Sequence, residues 1–395
     1  MTEAPAAHLS PPFLADPALR AVLAALPEAR LVGGAVRDAL AGLPVADIDL
    51  ATPQSPAEVT AALARSGLRS VPTGAAHGTV TALADGRGFE ITTLRRDEET
   101  DGRRARVAWT DDWREDAARR DFTINAMSMT AAGAVFDYVG GIADLRAGWV
   151  RFVGEPALRV AEDYLRILRY FRFQARYGRG EPDRAALAAI AAGVPGLARL
   201  SAERVWSELK RVFVAPDPTG AVGLMQRLGV LAAVLPEGTD PAALARLVRA
   251  AGPADPLLRL AALLTGDAAA VADRLRLSGA ERERLLALRG GPTPRPEMDD
   301  AALRRLLADT PADLLLGRSW LAGNGSAAWA ALRTRLAALP KPVFPLEGRD
   351  ALALGLAPGP AIGLLLRAVR QWWLDGGCVA DAAACRAELA RRAAG

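Results

Sequence analysis

Residue types that build disulfide frameworks and zinc sites are scarce in this chain of 395 residues, which has two cysteines and two histidines. Cys378 and Cys385 are too few for a disulfide framework, so we expect no disulfides and a reducing compartment. His8 and His77 lie in the N-terminal quarter, which excludes a histidine-rich metal site from the C-terminal half. The sequence has no apolar run of about 18 residues and no N-terminal signal pattern. We therefore expect a cytoplasmic protein that does not span a membrane.

Lysine is also scarce, because Lys210 and Lys341 are the only lysines among 49 basic residues. The pI near 9.5 and the preference for arginine suit a partner rich in phosphate, although the formal charge is only +4. An Ala-, Arg- and Pro-rich composition more often reflects genomic base composition, so charge alone does not decide the partner. With 51% hydrophobic residues, the chain can bury the cores of two or more domains.

The first stretch that indicates chemistry is LVGGAVRDALAGLPVADIDLAT, residues 31–52. It predicts a short strand, a Gly33-Gly34 turn, a brief helix, and a second strand carrying Asp47 and Asp49. Paired glycines allow close approach of a phosphate to the backbone, and residues two apart on a strand point to the same face. Two such carboxylates suggest Mg²⁺ and a nucleotide. Taken singly, each pattern is more often an ordinary turn or a solvated edge.

The next segment predicts a β-hairpin. Residues 79–84 and 88–94 alternate in polarity on either side of an Asp85-Gly86 turn. Glu90 falls on the face opposite its apolar neighbours, and we consider it either a third catalytic carboxylate or a solvated strand residue. His77, which precedes the first strand among small residues, is predicted to be structural. Residues 95–115 carry charges of both signs without periodicity, which predicts an irregular surface loop.

The string RRDFTINAM, residues 119–127, is more specific. Arg119 and Arg120 can neutralise a triphosphate. Asp121 and Asn125 can bind a ribose or hold the arginines in place, and on a helix they would share a face. The alternative is a capped helix start with a surface ion pair.

A fourth candidate is EDYLRILR, within a segment 157–177 that is predicted to be one continuous helix. On such a helix Asp163, Arg166 and Tyr170 form one polar stripe, whereas Arg169 and Arg172 face other partners. A carboxylate beside a guanidinium complements the amino group and ring nitrogen that cytosine and adenine share, and it mismatches uracil and guanine. The alternative is a set of surface salt bridges worth only ~0.2–0.5 kcal/mol each.

In this order, GGAVRD with DIDLAT, RRDFTINAM and EDYLRILR resemble the motifs of the class II tRNA nucleotidyltransferases, namely the CCA-adding enzymes and their poly(A) polymerase relatives. The resemblance implies an α+β fold in which a nucleotidyltransferase head with a small mixed sheet (1–150) precedes an all-helical remainder. That remainder would be a nucleotide-selecting neck (151–215) and an RNA-binding body and tail (216–395). Asp137 and Asp144, in a similar third motif, would be structural.

The resemblance also implies a site and a reaction. Asp47 and Asp49 would hold Mg²⁺, and CTP and ATP would be used to extend tRNA with release of pyrophosphate. The residues predicted to bind the nucleotide are Gly33, Gly34, Arg37, Asp38, Arg119, Arg120, Asp121, Asn125, Asp163, Arg166, Arg169 and Arg172. Addition of C and C only, addition of A only, and poly(A) synthesis remain alternatives, and a non-catalytic RNA-binding protein is a more distant one. The sequence does not give the oligomeric state.

Overall fold

The computed structural model describes residues 3–74, 78–101 and 104–394 of the chain. It forms two compact units, Met1–Val234 and Leu235–Gly395. The three-part division at 150 and 215 stays a prediction, and His77 lies outside the described residues.

The N-terminal unit contains a mixed sheet, and its strands in the described residues are β1 (Ala7–His8), β2 (Arg30–Val32), β3 (Asp49–Thr52), β4 (Arg69–Gly74), β5 (Thr79–Ala84), β6 (Arg87–Thr93), β7 (Arg95–Asp101), β8 (Arg104–Trp109), β9 (Ser128–Met129) and β10 (Ala134–Phe136). Eight of them form one sheet in the order β1-β10-β9-β2-β3-β6-β5-β4, and β7 and β8 form a separate sheet. Strands β3 and β6 run parallel, whereas the other neighbours are antiparallel.

Helices follow and flank this sheet, as the α+β prediction requires. Those of the first unit are α1 (Pro17–Ala25), α2 (Gly34–Leu40), α3 (Pro56–Arg65), α4 (Trp113–Ala118), α5 (Gly141–Ala147), α6 (Pro156–Glu162), α7 (Leu165–Tyr177), α8 (Arg184–Gly193), α9 (Ala202–Phe213), α10 (Thr219–Arg227) and α11 (Val230–Val234).

Local signals explain where several of these elements begin. Ser55 and Glu58 form a reciprocal capping box at the start of α3, which satisfies free backbone N–H groups. Asp85 and Gly86 both have positive φ, as the predicted hairpin between β5 and β6 demands. Glu90 is exposed between buried Phe89 and Ile91, so the predicted alternation of β6 is confirmed.

The prediction of an irregular loop over residues 95–115 is wrong. Strands β7 and β8 pair antiparallel, with Arg95 opposite Trp109, and helix α4 begins at Trp113. Asp112 caps that helix by accepting the backbone N–H of Arg114 at 2.8 Å. Because β7 and β8 form their own two-stranded sheet, the segment does not need the apolar alternation that identifies a strand packed on a core.

The prediction of one continuous helix over 157–177 is also wrong. Helix α6 ends at Glu162, Asp163 is extended (φ −153°, ψ 108°), and α7 begins at Leu165. The Asp163 carboxylate accepts the backbone N–H of Leu165 at 3.0 Å, so it caps the second helix instead of lying within one. The predicted polar stripe therefore does not exist, and Tyr170 is fully buried.

An aromatic cluster packs helix α7 against the segment that follows α4. The ring of Phe122 lies 4.8 Å from that of Phe152 and 5.2 Å from that of Phe173. Tyr170 stacks on Phe152 at 5.9 Å. Burying such rings is a large stabilising contribution. It fixes Arg169 and Arg172, the residues that precede Tyr170 and Phe173, relative to the RRDFTINAM segment.

Among the described residues of the second unit, the named elements are all helices, and Thr239 and Leu264 form an isolated β-bridge. Its helices are α12 (Pro241–Arg249), α13 (Pro256–Leu263), α14 (Ala268–Arg274), α15 (Gly279–Arg289), α16 (Asp300–Asp309), α17 (Ala312–Ala322), α18 (Ala327–Ala338), α19 (Gly348–Leu352), α20 (Pro360–Asp375) and α21 (Ala382–Ala393).

Two leucine-rich and aromatic clusters form cores in this unit. One gathers Leu303, Leu315 and Leu332, and another surrounds Trp373. Cys378 and Cys385 are both free thiols. Every helix in the described part of the chain is too short or too polar to cross a bilayer.

Candidate active site

The Gly33-Gly34 turn lies at the end of β2 and opens α2, as predicted. Gly33 has φ +63° and ψ −120°, a backbone conformation that disfavours residues with a side chain. A methyl group on Gly33 would lie 3.6 Å from Nη1 of Arg120, and one on Gly34 would lie 3.6 Å from Nη2 of Arg37. Two guanidinium groups therefore flank a turn whose backbone is open to a ligand.

Three carboxylates lie close together at the start of β3. Asp49 is the first residue of that strand and is the register partner of Glu90 on parallel strand β6. Asp47 precedes the strand, so the prediction that both aspartates lie on it is wrong for Asp47. Burial, together with the charges of Glu90 and Asp47, raises the pKa of Asp49, against the lowering effect of Arg120. A divalent cation would relieve this crowding of negative charge.

The donor set suits Mg²⁺, because carboxylate oxygens are the hard ligands that this ion prefers. Within the described residues, no group of three or more histidine, cysteine, aspartate or glutamate side chains could hold a metal ion. Oxygens from a substrate or from water would therefore have to complete the coordination around Asp47 and Asp49.

A buried acid that the sequence analysis missed holds the arginines of RRDFTINAM. Asp116 on α4 accepts Nε of Arg119 at 2.8 Å and Nη2 of Arg120 at 2.9 Å. Burial alone would raise the pKa of Asp116, but Arg120 and Arg119 lower it below its ordinary value. The i,i+3 and i,i+4 spacing from Asp116 was the available signal. Asp116 directly follows the segment 95–115 that was predicted to be a loop, and no helix was predicted there.

Asp121 and Asn125 hold arginines of other segments in place. Asn125 donates to Asp121 at 3.1 Å and accepts Nη1 of Arg37 at 2.6 Å. Asp121 also accepts Nε of Arg169, on α7, at 2.7 Å. Of the two roles considered for this pair, the contacts favour the positioning of arginines over ribose binding. Residues Thr123–Asn125 form a short 3-10 helix and not an α-helix.

Asp38 belongs to a small polar group behind the glycine turn. It accepts Nε of Arg37 at 3.0 Å and a hydrogen bond from the hydroxyl of Tyr177. The guanidinium of Arg37 also lies 4.6 Å from the centre of the Tyr177 ring. Burial raises the pKa of Tyr177 to about 12, so this hydroxyl remains a donor at neutral pH.

The two residues predicted to select the nucleotide are held separately. Asp163 accepts Nη2 of Arg204, on α9, at 2.7 Å. Arg166 donates to the carbonyl of Arg159 at 2.9 Å and forms an ion pair with Glu162. Their side chains are therefore not paired with each other. Each keeps its polar group beside the same cleft.

Arg172 is paired with a buried acid on α9. Its Nη1 lies 3.1 Å from Oε1 of Glu208, whose side chain is 4% exposed. Burial lowers the pKa of Arg172 to about 10, although Glu208 opposes this effect. The sequence alone assigned no role to Glu208, which lies on α9 four positions after Arg204.

The predicted residues meet in one cleft of about 820 Å³ in the N-terminal unit. Every predicted site residue except Glu90 lines it. Glu90 lines an adjoining cleft of about 410 Å³ that shares Asp47 and Asp49 with the first. Four further lining residues with polar or charged side chains were not assigned from the sequence, namely Arg176, Tyr177, Arg204 and Arg211.

Charge decides which ligands suit the larger cleft. In the described part of the chain, its lining includes nine arginines and five aspartates. Such an excess of guanidinium groups attracts polyanions, and the aspartates near β3 offer the place for a cation. The cleft can therefore bind a nucleoside triphosphate together with a metal ion.

Comparisons with known proteins agree with this geometry. A family model described as the poly A polymerase head domain matches residues 29–151, and one described as a probable RNA and SrmB-binding site of polymerase A matches residues 181–240. The chain is 36% identical to the mitochondrial CCA tRNA nucleotidyltransferase 1 of Mus musculus, over 89% of this chain and 83% of the relative. For the Danio rerio protein of the same name the identity is 37%, over 88% and 83%.

A solved structure extends the likeness to nearly the whole chain. The Bacillus stearothermophilus CCA-adding enzyme in complex with CTP matches with a TM-score of 0.77 and 26% identity, over 98% of both chains. Motifs, cleft and comparisons lead to the same family. The chain is a member of the CCA-adding tRNA nucleotidyltransferases.

Proposed function

We propose that this protein adds C, C and A to the 3′ end of tRNA from CTP and ATP, without a nucleic-acid template and with release of pyrophosphate. The observation that carries the proposal is that Asp163 and Arg166 line the same cleft as Asp47 and Asp49. A group able to recognise a base and a group able to bind a metal thus share one space.

Asp47 and Asp49 would hold the Mg²⁺, at a place where burial, together with the charges of Glu90 and Asp47, raises the pKa of Asp49. When bound, Mg²⁺ supplies charge neutralisation at the reacting phosphate and favours the ionised form of an attacking hydroxyl. Glu90 is proposed as a third acid beside this pair, because it is the register partner of Asp49.

The chain's own residues bind and orient the triphosphate. Arg37 and Arg120 flank the glycine turn and Arg119 lines the same cleft, and each is already held by an acid or amide. Guanidinium groups fixed in advance lose little entropy when phosphate oxygens arrive. As the bond to the leaving group breaks, the same guanidinium groups stabilise the negative charge that accumulates on pyrophosphate.

The nucleotide is selected by hydrogen bonding. The Asp163 carboxylate can accept from the exocyclic amino group of cytosine or adenine, while Arg166 donates to the adjacent ring nitrogen. Uracil and guanine would place acceptor against acceptor and donor against donor, and buried groups left unpaired in this way are costly. Arg169 and Arg172 are proposed to meet phosphates, since their positions on α7 differ from that of Arg166.

Defined tRNA ends test the proposal. Transcripts ending before CC, after one C and after CC are supplied with CTP alone, ATP alone or both. The proposal expects CMP on the first two and AMP on the third, ending after A. Absence of CMP from every product would contradict it and favour an A-adding enzyme, and long A tails on unrelated RNA would favour a poly(A) polymerase.

A non-catalytic RNA-binding protein is tested with Asp47→Ala. Loss of nucleotide incorporation with retained tRNA binding supports an enzyme that uses this aspartate. Unchanged incorporation would rule out the metal assignment. A role of the helical remainder in binding tRNA and a cytoplasmic location stay predictions, the latter because the animal relatives named above are mitochondrial.

A further inference from the structure

The side chain of Asp163 is not oriented by a helix. The residue is extended between α6 and α7, at φ −153° and ψ 108°. An aspartate in such a link has a broad choice of side-chain torsions, so its direction depends on the groups that bind its two oxygens. A carboxylate that must meet one edge of a base needs that direction fixed.

The two oxygens have different partners. Oδ1 accepts the backbone N–H of Leu165 at 3.0 Å, and Oδ2 accepts Nη2 of Arg204 at 2.7 Å. The first contact pins one oxygen to the start of α7. The second comes from α9, which is separated by 41 positions in sequence, and it fixes the rotation of the carboxylate about the first.

Arg204 also lies in the right place to act during nucleotide binding. Its side chain is 41% exposed, that of Asp163 is 33% exposed, and both line the large cleft. A partly exposed ion pair contributes little to the stability of the fold. Its geometric effect on the carboxylate is therefore separable from any effect on folding.

The side chain of Arg166 is held by residues other than Arg204. It is bound by Glu162 and by the carbonyl of Arg159. Loss of Arg204 would thus disturb the carboxylate and leave the guanidinium in place. The effect would be selective, because only Asp163, the hydrogen-bond acceptor of the two base-reading side chains, would lose its fixed orientation.

We propose that Arg204 is a positioning residue that sets nucleotide selectivity by orienting the Asp163 carboxylate. The inference rests on the proposed function. An Asp163 carboxylate without Arg204 can rotate away from the amino group of cytosine or adenine, which weakens the preference over uracil and guanine. Because each carboxylate oxygen has two acceptor positions, Oδ2 can bind Arg204 and a base amino group together.

The test compares CTP with UTP on tRNA that lacks CCA. In Arg204→Gln the ratio of kcat/KM for CTP to that for UTP should fall by about 10-fold or more, as expected for loss of a hydrogen bond to a charged group. Arg204→Lys should restore part of the ratio, because lysine keeps the charge without the planar fork. Arg184→Gln, an exposed arginine on α8, is the matched control and should leave the ratio unchanged.

A double-mutant cycle shows whether Arg204 acts through Asp163. In an Asp163→Asn background, Arg204→Gln should change the ratio little further, since its target is already altered. An unchanged ratio in Arg204→Gln, or a full additional loss in the Asp163→Asn background, would overturn the proposal. Equal loss for all four nucleotides would also overturn it and assign Arg204 to phosphate or RNA binding.

Calorimetric binding of CTP and UTP separates this inference from the proposed function. If the wild-type protein adds no nucleotide to tRNA, the proposed function fails. The ratio of dissociation constants for CTP and UTP in wild type and Arg204→Gln still tests the positioning role. A wild-type preference for CTP that Arg204→Gln retains in full contradicts it.

Discussion

Asp49 and Glu90 are register partners on the two parallel strands β3 and β6, and Asp47 lies two residues before Asp49. Because the pKa of Asp49 is raised in the folded protein, the contribution of its protonated carboxyl to stability is fully present below its unfolded pKa. That contribution is lost as the pH rises through the folded value. Without a cation, ionised Asp49 therefore opposes folding at neutral pH.

We accordingly predict that Asp49→Asn raises the Tm of the metal-free protein at neutral pH and abolishes nucleotide incorporation. Addition of Mg²⁺ should raise the Tm of the wild type but not that of the variant, because a ligand stabilises the state that binds it. Thermal unfolding in EDTA and in Mg²⁺ measures both effects. Asp85→Asn, in an exposed turn, is the control, and an Mg²⁺ response that survives in Asp49→Asn would contradict the assignment.

A second prediction concerns buried Asp116, which holds Arg119 and Arg120. Asp116→Asn should lower the free energy of unfolding by about 2 kcal/mol, as for a hydrogen bond to a charged group. It should also raise the KM for CTP and ATP, since both arginines lose their anchor. Urea unfolding and steady-state kinetics measure these effects.

The pH dependence of this effect has a definite sign. The pKa of Asp116 is lowered in the fold, so its stabilising contribution is present above the unfolded pKa and lost as the pH falls through the lower folded value. The difference between wild type and Asp116→Asn should shrink below about pH 4. Asp111→Asn removes an exposed carboxylate just before the same helix and should change neither quantity.

A third prediction concerns Glu208, whose buried carboxylate pairs with Arg172. Glu208→Gln leaves a largely buried guanidinium without its counter-charge and should cost about 3 kcal/mol. Chemical denaturation measures the loss. Glu181→Gln, which removes the same charge from an exposed position, should cost almost nothing. Equal stability of the two variants would show that Arg172 finds another partner.

A fourth prediction separates Tyr170 from the base-reading residues. Its hydroxyl is buried and has no hydrogen-bond partner in the described part of the chain. Tyr170→Phe should therefore leave stability unchanged or slightly higher, with the preference for CTP over UTP intact. Tyr177→Phe is the contrasting variant, because it removes a hydrogen bond to Asp38 and should weaken triphosphate binding. A loss of selectivity in Tyr170→Phe would contradict this prediction and would support the polar stripe that was predicted from the sequence.

The sequence predicted the site better than it predicted the backbone that carries it. Short motifs identified Gly33, Arg120 and Asp163 because each chemistry requires a particular residue type. It did not predict the interruption at Asp163, because apolar residues on both sides keep the helical period through the break. The capping contact to Leu165 is a local side-chain choice that periodicity does not encode.

Two of the missed residues, Arg204 and Glu208, have partners that lie far away in sequence. Arg204 and Glu208 are charged positions on an amphipathic helix, a pattern that normally indicates a solvated face. Only folding brings Arg204 to Asp163 and Glu208 to Arg172. The two-stranded sheet of β7 and β8 was missed for a different reason, because its strands do not show the alternation of polar and apolar residues that predicts a strand.

The contact between Asp121 and Arg169 limits how parts of this protein can be exchanged with those of a relative. Asp121 lies in RRDFTINAM and Arg169 lies on α7, so one ion pair joins two motifs that are 48 positions apart. A chimera that takes α7 alone from another family member keeps this joint only if its new residue pairs with Asp121. The RRDFTINAM segment and α7 should therefore be exchanged together when a chimera is made.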